Sequence, residues 1–186
     1  MKRFFDVAVS AVALVTLCFP IALLAVLIKL TSTGPIFYWS NRVGTRNIIF
    51  KMPKFRTMQD GTPTVATHLL SDFTQYLTPI GLFLRKSSLD ELPQLWSILV
   101  GDMSFVGPRP ALYNQEDLIT LRTQYGVDKL VPGLTGWAQV NGRDELSILV
   151  KVQYDVEYLQ KQSFWFDMKI LCLTFLKVVR QTGVSH

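Results

Sequence analysis

The sequence predicts an α+β fold, mostly helical with one β-hairpin, and three observations lead there. Apolar residues recur at helical spacing in several separate segments. Two short runs rich in aromatic and β-branched residues flank a single polar turn. The regular strand-helix-strand alternation of a doubly wound sheet does not occur. The chain has 186 residues, enough for one domain with its own core. It is 49% apolar and only 18% charged, with a mean hydropathy of +0.26, greasier than a typical soluble domain.

The apolar excess sits at one end. No charge occurs from Val7 to Ile28, between Asp6 and Lys29. As a helix this stretch reaches roughly 33 Å, the scale of a bilayer hydrocarbon core. It exceeds the apolar region of a signal peptide and runs into Lys29-Leu30-Thr31 rather than a small-residue cleavage site, so a retained anchor over 1–30 is expected. Both flanks are basic. Lys2 and Arg3 precede the run, and Lys29, Arg42, Arg46, Lys51, Lys54 and Arg56 follow with no acid before Gln59. Basic flanks prefer the cytoplasmic side, and a hairpin entering and leaving by one face satisfies both. Pro20 bends a helix inside the run. These features favour a re-entrant helix-bend-helix over the alternative, a proline-kinked span.

Gly34-Pro35 then punctuates the chain, and 31–186 reads as a second region at the cytoplasmic face. "IFYWS" (36–40) and "IIFKM" (48–52) form the hairpin strands around the turn "VGTRN". "KFRTM" (54–58) leads into a polar surface loop at 59–72. Residues 73–88 are helical in part, with Thr78-Pro79 opening the second piece. Further helices are expected at Gln94–Val100, Tyr113–Gln124 and Ser147–Gln160. In 163–183, Trp165, Met168, Cys172, Phe175, Leu176 and Val179 share one face, while Lys169, Lys177 and Arg180 lie elsewhere. Such an amphipathic helix either lies in a membrane interface or packs on the core.

"SSLDELPQLWSILVGDMSFVGPRP" (87–110) places two carboxylates, Asp90 and Glu91, side by side. Ser88-Leu89-Asp90-Glu91 fits a capping box, but Pro93 would then be the fifth helical residue and would leave the Leu89 carbonyl unpartnered. The helix therefore starts nearer Leu92 or kinks after the acids. A pair of carboxylates beside a helix opening also suits Mg²⁺, whose charge relieves their mutual repulsion. Basic residues in short, punctuated contexts are candidate phosphate contacts: Lys54, Arg85, Arg109 between Pro108 and Pro110, and Arg143. "VPGLTGWAQVNGR" (131–143), with Gln139 and Asn141, is either a structural turn or a binding loop.

Other classes are poorly served. Cys18 and Cys172 lie far apart in apolar segments, which suggests no disulfide and fits a reducing compartment. His68 and His186 are too few for a His-rich zinc site. The net charge of +5 raises nucleic acid as a partner, but the apolar run and the lack of a basic-aromatic strand motif argue against it.

Taken together, "KRFFD", "KFRTM", "LRKSSLDELPQLWSILVGDMSFVGPRP", "PGLTGWAQVNGR", "QYDVEYL", "FDMKI" and "TGVS" resemble the bacterial sugar transferases, the monotopic polyprenyl-phosphate phosphoglycosyl transferases of minimal catalytic-domain type. The resemblance spans nearly the whole chain in the family's order. It implies transfer of a sugar-1-phosphate from a UDP-sugar to undecaprenyl phosphate at the cytoplasmic face of the bacterial inner membrane, with release of UMP, as the first membrane step of surface-glycan synthesis. By the same match Asp90 is the nucleophile that forms a covalent phosphosugar intermediate, and Glu91 holds Mg²⁺ beside it. Lys54, Arg85, Pro108, Arg109, Pro110, Gln139, Arg143, Asp155 and Asp167 fall in the substrate-binding set. The family's anchor is re-entrant. Its usual Ser-Pro bend is here Phe19-Pro20, Asn47 stands at a frequent hairpin glycine, and Val131 replaces a basic residue before Pro-Gly. A non-catalytic, lipid-binding membrane adaptor is the competing reading, and a homo-oligomer remains open.

Overall fold

Pro20 has no N–H to give the Thr16 carbonyl, and its ring crowds that carbonyl. The first helix, α1 (Lys2–Thr16), accordingly stops at Thr16, and α2 (Cys18–Thr31) starts beyond Leu17. Pro20 itself sits in the first turn of α2, where a missing N–H costs little. The two helices meet at 61°. The break thus falls at Leu17, rather than at Phe19-Pro20 as the dipeptide suggests, because proline acts on the carbonyl four residues back. No single helix among the described residues is long and apolar enough to cross a membrane, whereas the bent pair passes that test together. The computed structural model describes residues 1–62, 73–142 and 146–180. Most of the expected loop at 59–72, Arg143, His68, His186 and the closing "TGVS" lie outside the described residues.

One face of α1 is tied to the rest of the chain by polar groups. Asp6 is buried and accepts a hydrogen bond from the Phe105 amide at 3.2 Å. Arg3 donates to the Ile98 and Leu99 carbonyls at 2.6 and 2.7 Å. Those carbonyls end α4 (Gln94–Val100), where exposed C=O groups and the helix dipole favour a cation. On α2, Leu24 and Ile28 share an apolar cluster with Phe55 and Leu84. Arg56 holds the exit from α2 by donating to the Ser32 carbonyl and hydroxyl and to the Thr33 carbonyl. The α1–α2 pair is therefore seated on the remainder of the fold.

The hairpin forms as expected but is longer. Strands β1 (Phe37–Val43) and β2 (Ile49–Phe55) pair antiparallel, from Phe37 opposite Phe55 to Val43 opposite Ile49. The turn demands two consecutive left-handed residues, Arg46 (φ 55°) and Asn47 (φ 61°). Asn tolerates this conformation, and its amide also donates to Thr123 Oγ1 at 3.0 Å. After a 3₁₀ turn at Phe73–Tyr76, α3 (Gly81–Lys86) follows Thr78-Pro79, in line with the two-piece reading of 73–88.

A second sheet, unforeseen in the sequence, pairs β3 (Ser104–Val106) with β4 (Gly133–Thr135) in parallel. Strands of three residues are too short to show periodicity. Glycine makes the pair possible: a Cβ on Gly133 would fall on the Gly107 backbone, and one on Gly136 on the Gly107 carbonyl. The last helices are α5 (Glu116–Gln124), α6 (Trp137–Val140), α7 (Ile148–Lys161) and α8 (Phe164–Arg180). Ser147 caps α7 by accepting from the Val150 amide. Val106, Val127, Leu130, Val140, Tyr158 and Ile170 make the core between β3, α6, α7 and α8. On α8, Asp167 and Ile170 face inward, while Trp165, Phe175 and Leu176 stay exposed, so their stripe is not the core-facing one.

The glycine contact generates a prediction. Gly133→Ala should cost about 2 kcal/mol or more, because backbone rather than a flexible side chain must move. Thermal unfolding in detergent, compared with wild type, reads the loss.

Candidate active site

The acid pair owes its position to a refused helix. Ser88 adopts the left-handed conformation (φ 56°), and its side chain caps nothing. The capping-box reading therefore fails. One 3₁₀ turn, Leu89–Glu91, carries the acids. Pro93 then precedes α4 at its N-cap, where it displaces no intrahelical hydrogen bond, and the helix opens at Gln94. The local conflict between the acids and the proline is resolved by starting the helix after both.

Asp90 is buried at 8% exposure, and Glu91 retains 15% of its side-chain surface. Cations surround them. Lys54, near the end of β2, places its Nζ 2.7 Å from Glu91 Oε1 and 3.8 Å from Asp90 Oδ2. Arg109 reaches the same Glu91 oxygen at 3.2 Å. Arg85, on α3, donates through Nε to Thr57 Oγ1 at 2.9 Å and interacts electrostatically with Asp90. The structure thus brings together Asp90, Glu91, Lys54, Arg85 and Arg109, from four separate stretches of sequence.

Burial is the largest influence on Asp90 and lifts its pKa above the ordinary carboxylate value; Lys54 opposes the lift, Glu91 adds to it, and Arg85 and Arg109 oppose it. Burial likewise lowers Arg85, against the pull of Asp90. The cluster adds a residue that sequence reasoning passed over. Arg42, on β1, is lowered to about 10, first by burial and then by the like charge of Arg109, with Glu91 pulling it back. A lone arginine in a strand carries no local signal of this placement.

Other residues of the expected set go elsewhere. Gln139 donates to the Leu134 carbonyl at 3.1 Å, and its buried Oε1 has no partner among the described residues. Asp155 is buried and receives Arg122 Nε and Nη2 at 3.0 and 2.7 Å. Asp167 is also buried, with Lys2 Nζ 2.6 Å from one oxygen and the Tyr158 hydroxyl 2.7 Å from the other. Both acids have protein partners, because an internal carboxylate needs a cation or donor within reach. Pro108 and Pro110 hold the backbone on either side of Arg109: their carbonyls accept from the Gly133 amide at 2.9 Å and from Arg42 Nη1 at 3.1 Å.

No group of three or more His, Cys, Asp or Glu among the described residues could enclose a metal ion. Mg²⁺ does not require such a cage: it commonly takes one or two carboxylates and completes its shell with water and substrate phosphates. Asp90 and Glu91 meet that requirement. A pair of acids in a ring of four cations is suited to gripping a polyanion and presenting it to an oxygen nucleophile.

Comparison with known proteins follows the same direction. A family model described as bacterial sugar transferase matches residues 1–181. The protein of Bacillus subtilis (strain 168) named uncharacterized sugar transferase EpsL is 40% identical over 186 residues, covering 100% of this chain and 91% of its own length. The UDP-glucose:undecaprenyl-phosphate glucose-1-phosphate transferase of Escherichia coli (strain K12) is 39% identical, over 95% of this chain but 40% of its own length. The exopolysaccharide production protein ExoY of Sinorhizobium fredii is 36% identical, over 98% of this chain and 87% of its length. The chain thus spans most of the shorter relatives and about two fifths of the longer one.

The raised pKa of Asp90 sets a stability prediction. A carboxyl that binds its proton more tightly folded than unfolded contributes stability at low pH and loses it as pH rises through the folded pKa. Asp90→Asn should therefore melt at a higher temperature than wild type at pH 7, and the gap should close below the ordinary carboxylate value of 3.8. Melting curves across that range check it.

Proposed function

The chain belongs to the bacterial sugar transferase family, and from that premise we propose that it transfers a sugar-1-phosphate from a UDP-sugar to undecaprenyl phosphate, with UMP leaving. The observation that carries this reading is the buried Asp90 beside Glu91 inside a ring of Lys54, Arg85, Arg109 and Arg42. Family membership removes the non-catalytic adaptor from contention. Relatives named for undecaprenyl-phosphate sugar transfer and exopolysaccharide production support the substrate classes.

In the proposed reaction, an oxygen of ionised Asp90 attacks the phosphorus that carries the sugar. A P–O bond to Asp90 forms as the bond to the UMP oxygen breaks, and UMP departs with that electron pair. In the second half, a phosphate oxygen of undecaprenyl phosphate attacks the same phosphorus. The aspartyl bond then breaks, and the Asp90 carboxylate is restored. Splitting one transfer into two displacements is what an activated carboxylate nucleophile offers. Mg²⁺ bound at Asp90 and Glu91 would neutralise charge on the diphosphate. Lys54 and Arg109 hold the Glu91 carboxylate in place, and with Arg85 and Arg42 they offer donors to phosphate oxygens as charge shifts to the leaving group. Arg143 stays in the proposed set by its motif alone.

A water-soluble donor and a lipid acceptor have to meet at a membrane surface. We propose that the α1–α2 pair is a re-entrant anchor in the bacterial inner membrane and that the site opens on the cytoplasmic face. Phe4, Val12, Val15, Phe19, Leu23, Val26 and Leu30 are exposed along the pair, an apolar surface that lipid would cover. The exposed stripe of Trp165, Phe175 and Leu176 on α8 suits the same interface.

Asp90→Asn should cut UMP release by roughly three orders of magnitude or more while leaving the protein in the membrane fraction. An assay offering a panel of UDP-sugars with undecaprenyl phosphate and Mg²⁺ measures this and identifies the sugar. Undiminished turnover in the variant would exclude Asp90 as nucleophile. A second expectation concerns pH. Lys54 is the strongest cation opposing the lift of Asp90, so Lys54→Met should move the acid limb of the rate profile to higher pH, beyond lowering the rate. For topology, tags at both termini of intact cells should resist external labelling.

A further inference from the structure

The segment that carries Arg109 is unusual in how it is held. Of Pro108, Arg109 and Pro110, only Arg109 has an N–H, so a ladder of backbone donors cannot fix the segment. It is held by its carbonyls instead. The Pro108 carbonyl accepts from the Gly133 amide at 2.9 Å, and the Ala111 carbonyl from the Val43 amide at 2.9 Å. Between them, the Arg109 carbonyl accepts from Arg122 Nη1 at 2.8 Å and the Pro110 carbonyl from Arg42 Nη1 at 3.1 Å. Four consecutive carbonyls are thus held by four donors from three places in the fold: β4, α5 and the end of β1.

Arg122 is the member with the most elaborate support. It lies on α5 with 12% of its side chain exposed, and its Nε and Nη2 both bind one oxygen of Asp155 on α7, which is 2% exposed. The third nitrogen is left facing the Arg109 carbonyl. A planar guanidinium can serve a carboxylate and a carbonyl at once, which an ammonium point charge does far less well. Nothing on Arg122 reaches Glu91 in the described contacts; Arg109, whose backbone it holds, does so at 3.2 Å.

We propose that Arg122, oriented by buried Asp155, is a positioning residue that fixes the Pro108-Arg109-Pro110 segment and thereby aims the Arg109 guanidinium at the Glu91 side of the acid pair. This assignment rests on the transfer reading above for its kinetic consequence, and on the backbone contacts alone for its structural one. It gives Asp155 a role at the site without contact to substrate. It also accounts for a buried ion pair far along the chain from the acids, since orientation within a fraction of an ångström governs the efficiency of a phosphate clamp.

The test uses the full-length protein in detergent and two readouts. Arg122→Lys keeps a cation beside Asp155, so the fold is retained, and its melting curve confirms that. Hydrogen exchange of the 107–112 peptide should then quicken by roughly tenfold, with peptides of α8 unchanged. Unaltered exchange in 107–112 would overturn the proposal whether or not the protein turns over. In the transfer assay, Arg122→Lys should lower kcat by ~10-fold or more in the wild-type background and by at most about twofold in an Arg109→Ala background, because a residue acting through Arg109 has nothing left to position. Equal losses in both backgrounds would mean a general structural role and would also overturn it. Faster exchange in a protein whose wild type shows no transfer would support the clamp and reject the transfer reading.

Discussion

Two neighbouring carboxylates, one of them sealed from water, repel each other unless cations close around them. Most of the surrounding structure follows from that constraint. Asp90 and Glu91 cannot sit on a smooth helix because Pro93 stands two residues on, and they cannot lie in bulk water because Leu89 and Leu92 pack against the cluster formed by Leu24, Ile28, Phe55 and Leu84. The charges are answered instead by Lys54 from the hairpin, Arg85 from α3 and Arg109 from the segment beyond β3. Buried ion pairs seldom repay their desolvation as stability. Their presence here points to chemistry, since a partly compensated carboxylate is a more available nucleophile than a fully hydrated one.

The same economy explains how the apolar N-terminus joins the site. α1 is bound through Lys2, Arg3 and Asp6 to Val106, to the end of α4 and to the Phe105 amide. α4 and β3 are the elements that follow the acids in sequence. The proposed anchor therefore does more than tether a catalytic body: it buttresses the strand and helix that frame Asp90. In the proposed reading, the element seated in lipid and the element carrying the nucleophile thus share one packed interface.

Much of this was readable in the chain. The hairpin announced itself through aromatic and β-branched runs around a polar turn, and Asn47 was identifiable as a residue that tolerates the left-handed conformation the turn requires. The acids stood out because Pro93 spoils the ordinary helix-cap explanation, and the helix does open after the proline. What stayed hidden depends on distant closure. The β3–β4 pair is too short for period-two alternation and is made by glycines whose meaning appears only when Gly107 meets Gly133. Arg42 and Arg122 are isolated arginines without local punctuation. Asp155 and Asp167 were legible as acids of a motif, but their cationic partners lie 33 and 165 residues away. The basic residues before the apolar run carry a topology signal, yet Lys2 and Arg3 are also engaged by the protein, and composition alone cannot reveal such double use.

The claim on which the account turns is that the carboxylate of Asp90 itself carries the sugar phosphate between donor and lipid. Rapid quenching of the full-length protein with UDP-sugar and Mg²⁺ but no acceptor, followed by intact and peptide mass measurement, addresses it directly. The account predicts one added sugar phosphate, located on Asp90, which disappears when undecaprenyl phosphate is supplied. UMP production that proceeds with no adduct on that side chain would contradict it.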